Sequence, residues 1–339
     1  MKTELRARVQ HALDQKTKPV GSLGRLEQVA IDLCVAQRTQ TPDVQCVYGL
    51  IFAADHGVAL DGVSAYPREV TAQMVLNIAG GGSAVSTIGR ANGVEIEVFD
   101  VGVDAEFVSA PRVHDLRVRR GSGNIRVEPA MSEDELDAAL SAGRRALQVA
   151  LDAGARTVAI GEMGIGNTTP ASAMIGHYLG LDAEEITGAG TGVQGAALQH
   201  KLRVVEEAIL RVPKDASARE VLRQVGGLEI AAMVGVCLAA VEAQVAVIVD
   251  GFITTAAALA AVRMDSEVRD QLLFSHCSAE AGHRRVLQAL DAAPLVELQM
   301  RLGEGSGAVL CVPLVRAAAA VLREMATFEQ AGVTEKSAP

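Results

Sequence analysis

Short apolar runs that end at glycines and polar residues alternate with alanine-rich stretches along this chain. The apolar runs are residues 46–53, 94–101, 157–160 and 245–249, and the alanine-rich stretches include residues 134–153, 194–210 and 254–262. Continuous apolar runs of this length predict buried parallel strands, and the intervening stretches are long enough for the crossover helices that parallel strands require. The alternation therefore predicts a parallel sheet with helices on both faces.

The predicted fold class is α/β: a parallel sheet flanked by helices in a Rossmann-like, three-layer arrangement, with a smaller helical subdomain. Residues 1–40 have helical apolar spacing and are assigned to that subdomain. Residues 41–300 form the α/β core domain, and residues 301–339 provide an active-site loop and a C-terminal helix that packs back. Ligands of such sheets bind outside the carboxyl ends of the strands, so the polar motifs at those ends are the candidate site.

Charge and composition exclude several classes of partner. The 339 residues carry a formal net charge of −10, whereas nucleic acids and anionic membranes are bound through basic surfaces, so neither is predicted as a partner. Five cysteines without close spacing indicate reduced thiols, and we predict a cytoplasmic protein. Because Glu229, Glu242 and Asp250 interrupt the longest apolar region, no membrane span is predicted.

Two glycine-rich turns are candidate phosphate sites, because free backbone N–H groups at a turn and helix start bind anions. The candidate phosphate and ribose ligands are Gly164, Gly166, Asn167, Thr168 and Thr169 in the first turn, and Gly190, Thr191 and Gly192 in the second. The first turn lacks the lysine of a P-loop. An ordinary strand-to-helix turn capped by Asn or Thr is therefore an open alternative.

Two charged residues near these turns also have alternative interpretations. Lys201 lies in the helix that follows the second turn, where it can face a phosphate or, as its position beside Arg203 favours, form part of a solvated helix face. Asp250 ends an apolar run, where an acid can bind a ribose hydroxyl or cap the helix that follows.

Glu304 is the strongest candidate for a catalytic group. It stands between glycines in the segment from Met300 to Ala308, where most neighbours are small or apolar. Apolar surroundings raise the pKa of a carboxylate toward the range that suits proton transfer. The alternative is a tight turn that carries a solvated glutamate.

Asp55 and His56 follow the first apolar run and suggest a metal pair. However, the sequence supplies neither an HxxxH pattern nor paired carboxylates to complete a ligand set of suitable spacing. We therefore predict that these two residues orient loops through hydrogen bonds. We predict neither a metal nor a cofactor.

Several long motifs occur together in this chain and in one order. They are KPVGSLGRLE at 18–27, ADHGV at 54–58, GEMGIGNTT at 161–169, GGLEI at 226–230, SHCSAE at 275–280 and RLGEGSGA at 301–308. In these motifs the chain resembles the nicotinate-nucleotide:dimethylbenzimidazole phosphoribosyltransferases across almost its whole length. That family makes the lower-ligand nucleotide of cobalamin during nucleotide-loop assembly.

The resemblance implies a glycosyltransferase that moves the phosphoribosyl group of nicotinate mononucleotide to 5,6-dimethylbenzimidazole. The products would be α-ribazole 5′-phosphate and nicotinate, formed by direct displacement with inversion and without a metal. It implies that Glu304 is the general base, that Lys201 belongs to the phosphoribosyl-binding region, and that the enzyme is a homodimer. Glu162, beside the first turn, is a second catalytic candidate.

The family's benzimidazole pocket maps to Ser64, Tyr66, Gln73, Met74 and Leu302 in this sequence. Periodicity alone favours another interpretation, an amphipathic helix that packs Met74, Val75 and Ile78 into the core. Two functional alternatives also stay open. One is the same transfer to adenine, plain benzimidazole or a phenolic base, and the other is a non-catalytic nucleotide sensor.

Overall fold

The computed structural model describes residues 2–107, 110–190 and 192–334. Its centre is a six-stranded parallel sheet with the strand order β3-β2-β1-β4-β5-β6. The strands are β1 (Val47–Ala54), β2 (Glu95–Gly102), β3 (Val113–Asp115), β4 (Thr157–Met163), β5 (Ala246–Val249) and β6 (Leu272–Phe274). The order reverses between β1 and β4, and in a doubly wound sheet this switch point is where ligands bind.

The predicted α/β class and its four apolar strands are confirmed, with end points that differ by at most three residues. Sequence reasoning missed β3 and β6, which stand at the two edges of the sheet. Each has three residues, too few to show an apolar pattern, and pairing with β2 or β5 decides that they are strands.

The helices cover both faces of the sheet. They are α1 (Lys2–Asp14), α2 (Arg25–Ala36), α3 (Val70–Ala79), α4 (Ala84–Ala91), α5 (Glu133–Asp152), α6 (Thr168–Leu179), α7 (Ala183–Ile186), α8 (Ala196–Leu210), α9 (Ala218–Val225), α10 (Leu228–Ala243), α11 (Phe252–Met264), α12 (His283–Ala289), α13 (Ser306–Glu324) and α14 (Phe328–Ala331). Helix α5 begins with a capping box between Ser132 and Glu135, which satisfies two backbone donors at its start.

Side chains alternate between the two faces along each strand, as the period of a strand requires. In β1, Leu50 and Phe52 belong to a hydrophobic cluster that includes α5, α10 and α11. Ile51 and Ala53 belong to a second cluster with α1, α2 and α13 on the opposite face. The first helices thus share a core with the sheet. The division at residues 40 and 300 remains a prediction.

Helix α13 corrects the expectation that no segment resembles a membrane span. By length and composition Ser306–Glu324 is long and apolar enough to cross a membrane. Slightly more than half of this segment is buried, and Val309, Val312 and Val315 lie in the second hydrophobic cluster. Because a buried core helix has the same composition, this similarity is weak evidence for a membrane span.

Helices α5 and α10 pack at glycines, and this contact gives a stability prediction. A Cβ atom at Gly143 would lie 1.9 Å from the carbonyl oxygen of Ala232. We expect Gly143→Ala to lower the free energy of unfolding by about 1–3 kcal/mol, the usual effect of overpacking. Urea denaturation measures the change. Ser141→Ala, at an exposed position of the same helix, is the control, and equal stability of the two variants would contradict the prediction.

Candidate functional site

A cavity of about 700 Å³ opens at the carboxyl ends of the central strands. Most of the predicted site residues line it, although they come from segments far apart in the sequence. The predicted residues in its wall are Tyr66, Met74, Glu162, Gly164, Asn167, Thr168, Gly190, Asp250, Leu302 and Glu304. The cavity therefore joins the candidate phosphate turns, the candidate base pocket and both candidate catalytic acids.

The loop that carries Glu304 has an unusual backbone. Gly303, Glu304 and Gly305 have φ angles of 85°, 62° and 85°, and a left-handed conformation is strained for a residue with a Cβ. The loop also passes close to β4, since a Cβ atom at Gly161 would lie 2.6 Å from the carbonyl oxygen of Glu304. Glycines at 161, 303 and 305 thus permit a geometry that the surrounding contacts must hold in place.

Asp250 supplies those contacts. Its Oδ1 accepts hydrogen bonds from the backbone N–H groups of Gly307, at 2.7 Å, and Ala308, at 3.0 Å, and its Oδ2 accepts one from Gly305, at 3.1 Å. Asp250 therefore caps α13, which begins 56 residues later in the chain, rather than α11, which follows it. Burial raises the pKa of Asp250 to about 7, although these backbone hydrogen bonds act in the opposite direction.

Glu304 presents a largely dry carboxylate to the cavity. The residue is 7% exposed, and within the described ranges its Oε2 has no hydrogen-bond partner. Burial raises the pKa of Glu304, while the backbone N–H of Val85, in the first turn of α4, lowers it. The predicted alternative, a solvated glutamate in a tight turn, is wrong because the side chain is buried.

Glu162 connects the Glu304 loop to the first glycine-rich turn. Its carboxyl group accepts hydrogen bonds from the side chain of Asn167 and the backbone N–H of Glu304. Burial, with the nearby acids Glu229 and Asp250, raises the pKa of Glu162 to about 8. Burial therefore favours the neutral carboxyl, which can bridge the two segments without adding a full negative charge.

The first turn contributes only part of its predicted set to the cavity. Gly164, Asn167 and Thr168 line the wall, but Thr169 is completely buried and Gly166 packs near Ala59. The amide of Asn167 is directed at Glu162. Because Asn167 and Thr169 donate their backbone N–H groups to Gly164 and Gly166, and Pro170 has none, the hydroxyl group of Thr168 is the main polar group that this turn can offer a ligand.

Lys201 is buried against both turns. Its Nζ donates to Thr168 Oγ1 at 2.9 Å and to the carbonyl oxygen of Gly188 at 3.0 Å, and the residue is 0% exposed. Burial lowers its pKa to about 8. The predicted solvated helix face is wrong. The structure instead places a buried cation where the two glycine-rich turns meet.

Thr191 lies outside the described residues, and Gly192 is not part of the described cavity wall.

The segment predicted for the base pocket both lines the cavity and packs a helix into the core. Met74 lines the cavity with Val70, Tyr66 and Leu302, whereas Val75 and Ile78 of the same helix are buried in the core. In the described chain, neither Ser64 nor Gln73 belongs to the cavity wall. Tyr66 and Leu302 are 55% and 58% exposed, so this side of the cavity is open.

Asp55 and His56 take part in loop contacts. Asp55 Oδ2 accepts from the backbone N–H of Asp104 at 2.8 Å, and His56 Nε2 pairs with Glu229 Oε1 at 2.8 Å. Within residues 2–107, 110–190 and 192–334, three or more His, Cys, Asp or Glu side chains do not come together as a metal-binding group. Both residues therefore join β1 to neighbouring segments.

Sequence reasoning did not single out several residues of the wall. Ser278, Glu280 and Arg301 all line the cavity. Each stands inside a motif that carried the family resemblance, and membership of these motifs was the only sequence feature that could have indicated a place in the site. The spacing within those motifs could not show which side chains face the cavity.

The buried carboxyl of Glu162 gives a prediction for stability against pH. Its pKa rises from 4.5, its ordinary value, to about 8 on folding. The folded state therefore holds the proton more tightly, and the resulting stabilisation is present below pH 4.5 and is lost as the pH rises through about 8. We expect the free energy of unfolding of the wild type to fall, relative to that of Glu162→Gln, as the pH rises over this range. Urea denaturation at several pH values measures it, and a constant difference would contradict the prediction.

The fold and the cavity together define a class of protein. A doubly wound parallel sheet with glycine-rich turns, a buried lysine and two buried acids at its switch point is an α/β protein built to bind a phosphorylated small molecule.

Comparisons with known proteins identify the family. A phosphoribosyltransferase family model matches residues 1–333. The chain is 44% identical to the nicotinate-nucleotide–dimethylbenzimidazole phosphoribosyltransferase of Chlorobaculum tepidum, and the match covers 98% of this chain and 95% of the relative. It is 46% identical to the enzyme of the same name from Pseudomonas aeruginosa, and that match covers 99% of this chain and 96% of the relative. The crystal structure of CobT from Thermus thermophilus has a TM-score of 0.95 at 44% identity, over 98% of this chain and 100% of that one. The chain belongs to the nicotinate-nucleotide–dimethylbenzimidazole phosphoribosyltransferase family.

Proposed function

We propose that this protein transfers the phosphoribosyl group of nicotinate mononucleotide to 5,6-dimethylbenzimidazole, with Glu304 as the general base. The products are α-ribazole 5′-phosphate and nicotinate. We further propose that it acts in the cytoplasm as a homodimer, in the assembly of the cobalamin nucleotide loop. The family membership supports the reaction, and the geometry of the cavity supports the assignment of residues.

The chemistry requires a base but no acid for the leaving group. The ring nitrogen of nicotinate mononucleotide that is bonded to ribose is positively charged, so nicotinate leaves with the bonding electron pair. The attacking nitrogen of the benzimidazole forms the new bond to the anomeric carbon from the opposite face, which inverts that carbon. The other ring nitrogen then carries a proton that a nearby carboxylate can accept.

One observation carries the assignment of the base: Glu304 is 7% exposed, and its Oε2 lacks a partner in the described chain. A carboxylate in that state is free to accept a proton, and burial raises its pKa above the ordinary value of a glutamate, which favours proton acceptance. The left-handed backbone from Gly303 to Gly305 places it in the cavity wall.

The two ends of the cavity suit the two substrates. We propose that Lys201, Thr168 and the backbone of Gly190 receive the 5′-phosphate, since they combine a cation, a hydroxyl group and a backbone N–H donor. We propose that Tyr66, Met74 and Leu302 receive the flat benzimidazole, since they provide an apolar surface with a polarizable sulfur. The exposure of Tyr66 and Leu302 supports a homodimer in which the partner subunit covers this end.

Product analysis tests the proposal. Purified protein is incubated with nicotinate mononucleotide and dimethylbenzimidazole, and both products are separated by chromatography. We expect equal amounts of nicotinate and α-ribazole 5′-phosphate. Nicotinate release with adenine, benzimidazole or a phenol, but not with dimethylbenzimidazole, would overturn the choice of base. Nucleotide binding without any product would indicate a sensor.

A further inference from the structure

Lys201 is a buried cation whose closest partners are neutral. Its Nζ contacts the hydroxyl group of Thr168 and the carbonyl oxygen of Gly188. Among the described residues, neither of these two hydrogen-bond partners of Lys201 is a carboxylate. A buried charge without a counter-ion is unfavourable, so the free protein needs a compensating anion nearby.

Glu280 is the acid that faces this position. It lies in the loop between β6 and α12 and lines the cavity, and its negative charge raises the pKa of Lys201 against the effect of burial. Its Oε2 is 3.4 Å from the backbone nitrogen of Gly190, which donates to it in a long hydrogen bond. Glu280 thus occupies one of the N–H donors proposed for the substrate phosphate.

The glycine at position 188 makes this approach possible. A Cβ atom there would lie 2.1 Å from Glu280 Oε2, and one at Gly190 would lie 2.8 Å from Lys201 Nζ. The ammonium and the carboxylate therefore both rest against the backbone of residues 188–190. A phosphate oxygen that binds to the Gly190 N–H and to Lys201 requires the space that the Glu280 carboxylate holds.

We propose that Glu280 is an internal counter-anion of the phosphate subsite, which compensates the charge of Lys201 and accepts from the Gly190 N–H in the free protein, and which withdraws when the phosphate group binds. This inference rests on the proposed function for the identity of the anion. Two anions compete for one N–H donor, and their mutual repulsion opposes phosphate binding. Glu280 thereby weakens the binding of every phosphate-bearing ligand, including the product, and so favours product release.

Binding of inorganic phosphate tests the proposal by calorimetry, without any need for catalysis. The pH is set well below the pKa of Lys201, so that the ammonium is charged in every variant. We expect Glu280→Gln to bind phosphate about tenfold more tightly than wild type, since one repulsive charge is removed. Lys201→Met should lose binding, which places the phosphate at this subsite. Glu184→Gln, at an exposed position in α7, is the matched control and should bind as wild type does.

Several outcomes would overturn the inference. Equal or weaker phosphate binding by Glu280→Gln does so, as does an absence of phosphate binding in both wild type and variant. Unchanged phosphate binding with weaker binding of nicotinate riboside assigns Glu280 to the ribose instead. Circular dichroism checks the fold, and Glu280→Ala provides a second variant. Tighter phosphate binding by a protein that forms no α-ribazole 5′-phosphate would uphold the inference and reject the proposed function.

Discussion

Glu304→Gln is expected to lower kcat by about a hundredfold to ten-thousandfold, the usual effect of removing a general base. Glutamine has nearly the same shape but cannot accept the proton that the benzimidazole loses. The Michaelis constant for nicotinate mononucleotide should change little, because the proposed phosphate contacts are made by other residues. Steady-state kinetics with each substrate varied in turn measures both constants.

The pH profile provides a second measurement of the same role. Because burial raises the pKa of Glu304, wild-type activity should fall on the acid side at a pH above the ordinary range of a glutamate. The residual activity of Glu304→Gln should not show this fall on the acid side of the profile. Glu324→Gln, an exposed substitution at the end of α13, is the control. A rate for Glu304→Gln within a few-fold of wild type would mean that another group accepts the proton.

Asp250→Asn is expected to lower kcat by about a hundredfold, because a misplacement of about 1 Å at a reacting group costs that much. The substituted amide can still accept from Gly307 and Ala308, but its NH₂ group then faces the N–H of Gly305. An unpaired buried donor of this kind costs about 1–3 kcal/mol in stability. Steady-state kinetics and urea denaturation measure the two effects.

A double variant distinguishes positioning from direct contact with substrate. If Asp250 acts through the Glu304 loop, Asp250→Asn combined with Glu304→Gln should be no slower than Glu304→Gln alone, since the two residues act as a unit. If Asp250 binds a ribose hydroxyl, the double variant should be slower and the Michaelis constant for nicotinate mononucleotide should rise. The second result would reject the positioning role.

The central architecture could be predicted from local patterns. The buried strands β1, β2, β4 and β5 are continuous apolar runs, and β4 and β5 each lead into a polar motif that lines the cavity. Parallel pairing then brings those motifs to one edge of the sheet. The edge strands β3 and β6 lacked such a pattern, because three residues are defined by their neighbour and not by their own periodicity.

The candidate site was predicted less completely, for the same physical reason. Glu304 could be identified because its flanking glycines and apolar neighbours are local features. The burial of Lys201 could not, since α8 carries exposed charged residues as well, and the packing of its N-terminal half against the two turns decides which charge is covered.

The sequence by itself determined the alternating strand and helix pattern, the glycines that allow a left-handed loop at Glu304, and the motifs that place the chain in its family. These properties depend on neighbouring residues along the chain. Only the tertiary structure decided that Asp250 caps α13, that Asn167 is directed at Glu162, and that Glu280 rests against Gly188. Those contacts depend on how segments pack in the folded protein, and in a buried site each polar group bonds to whichever partner the packing brings within reach.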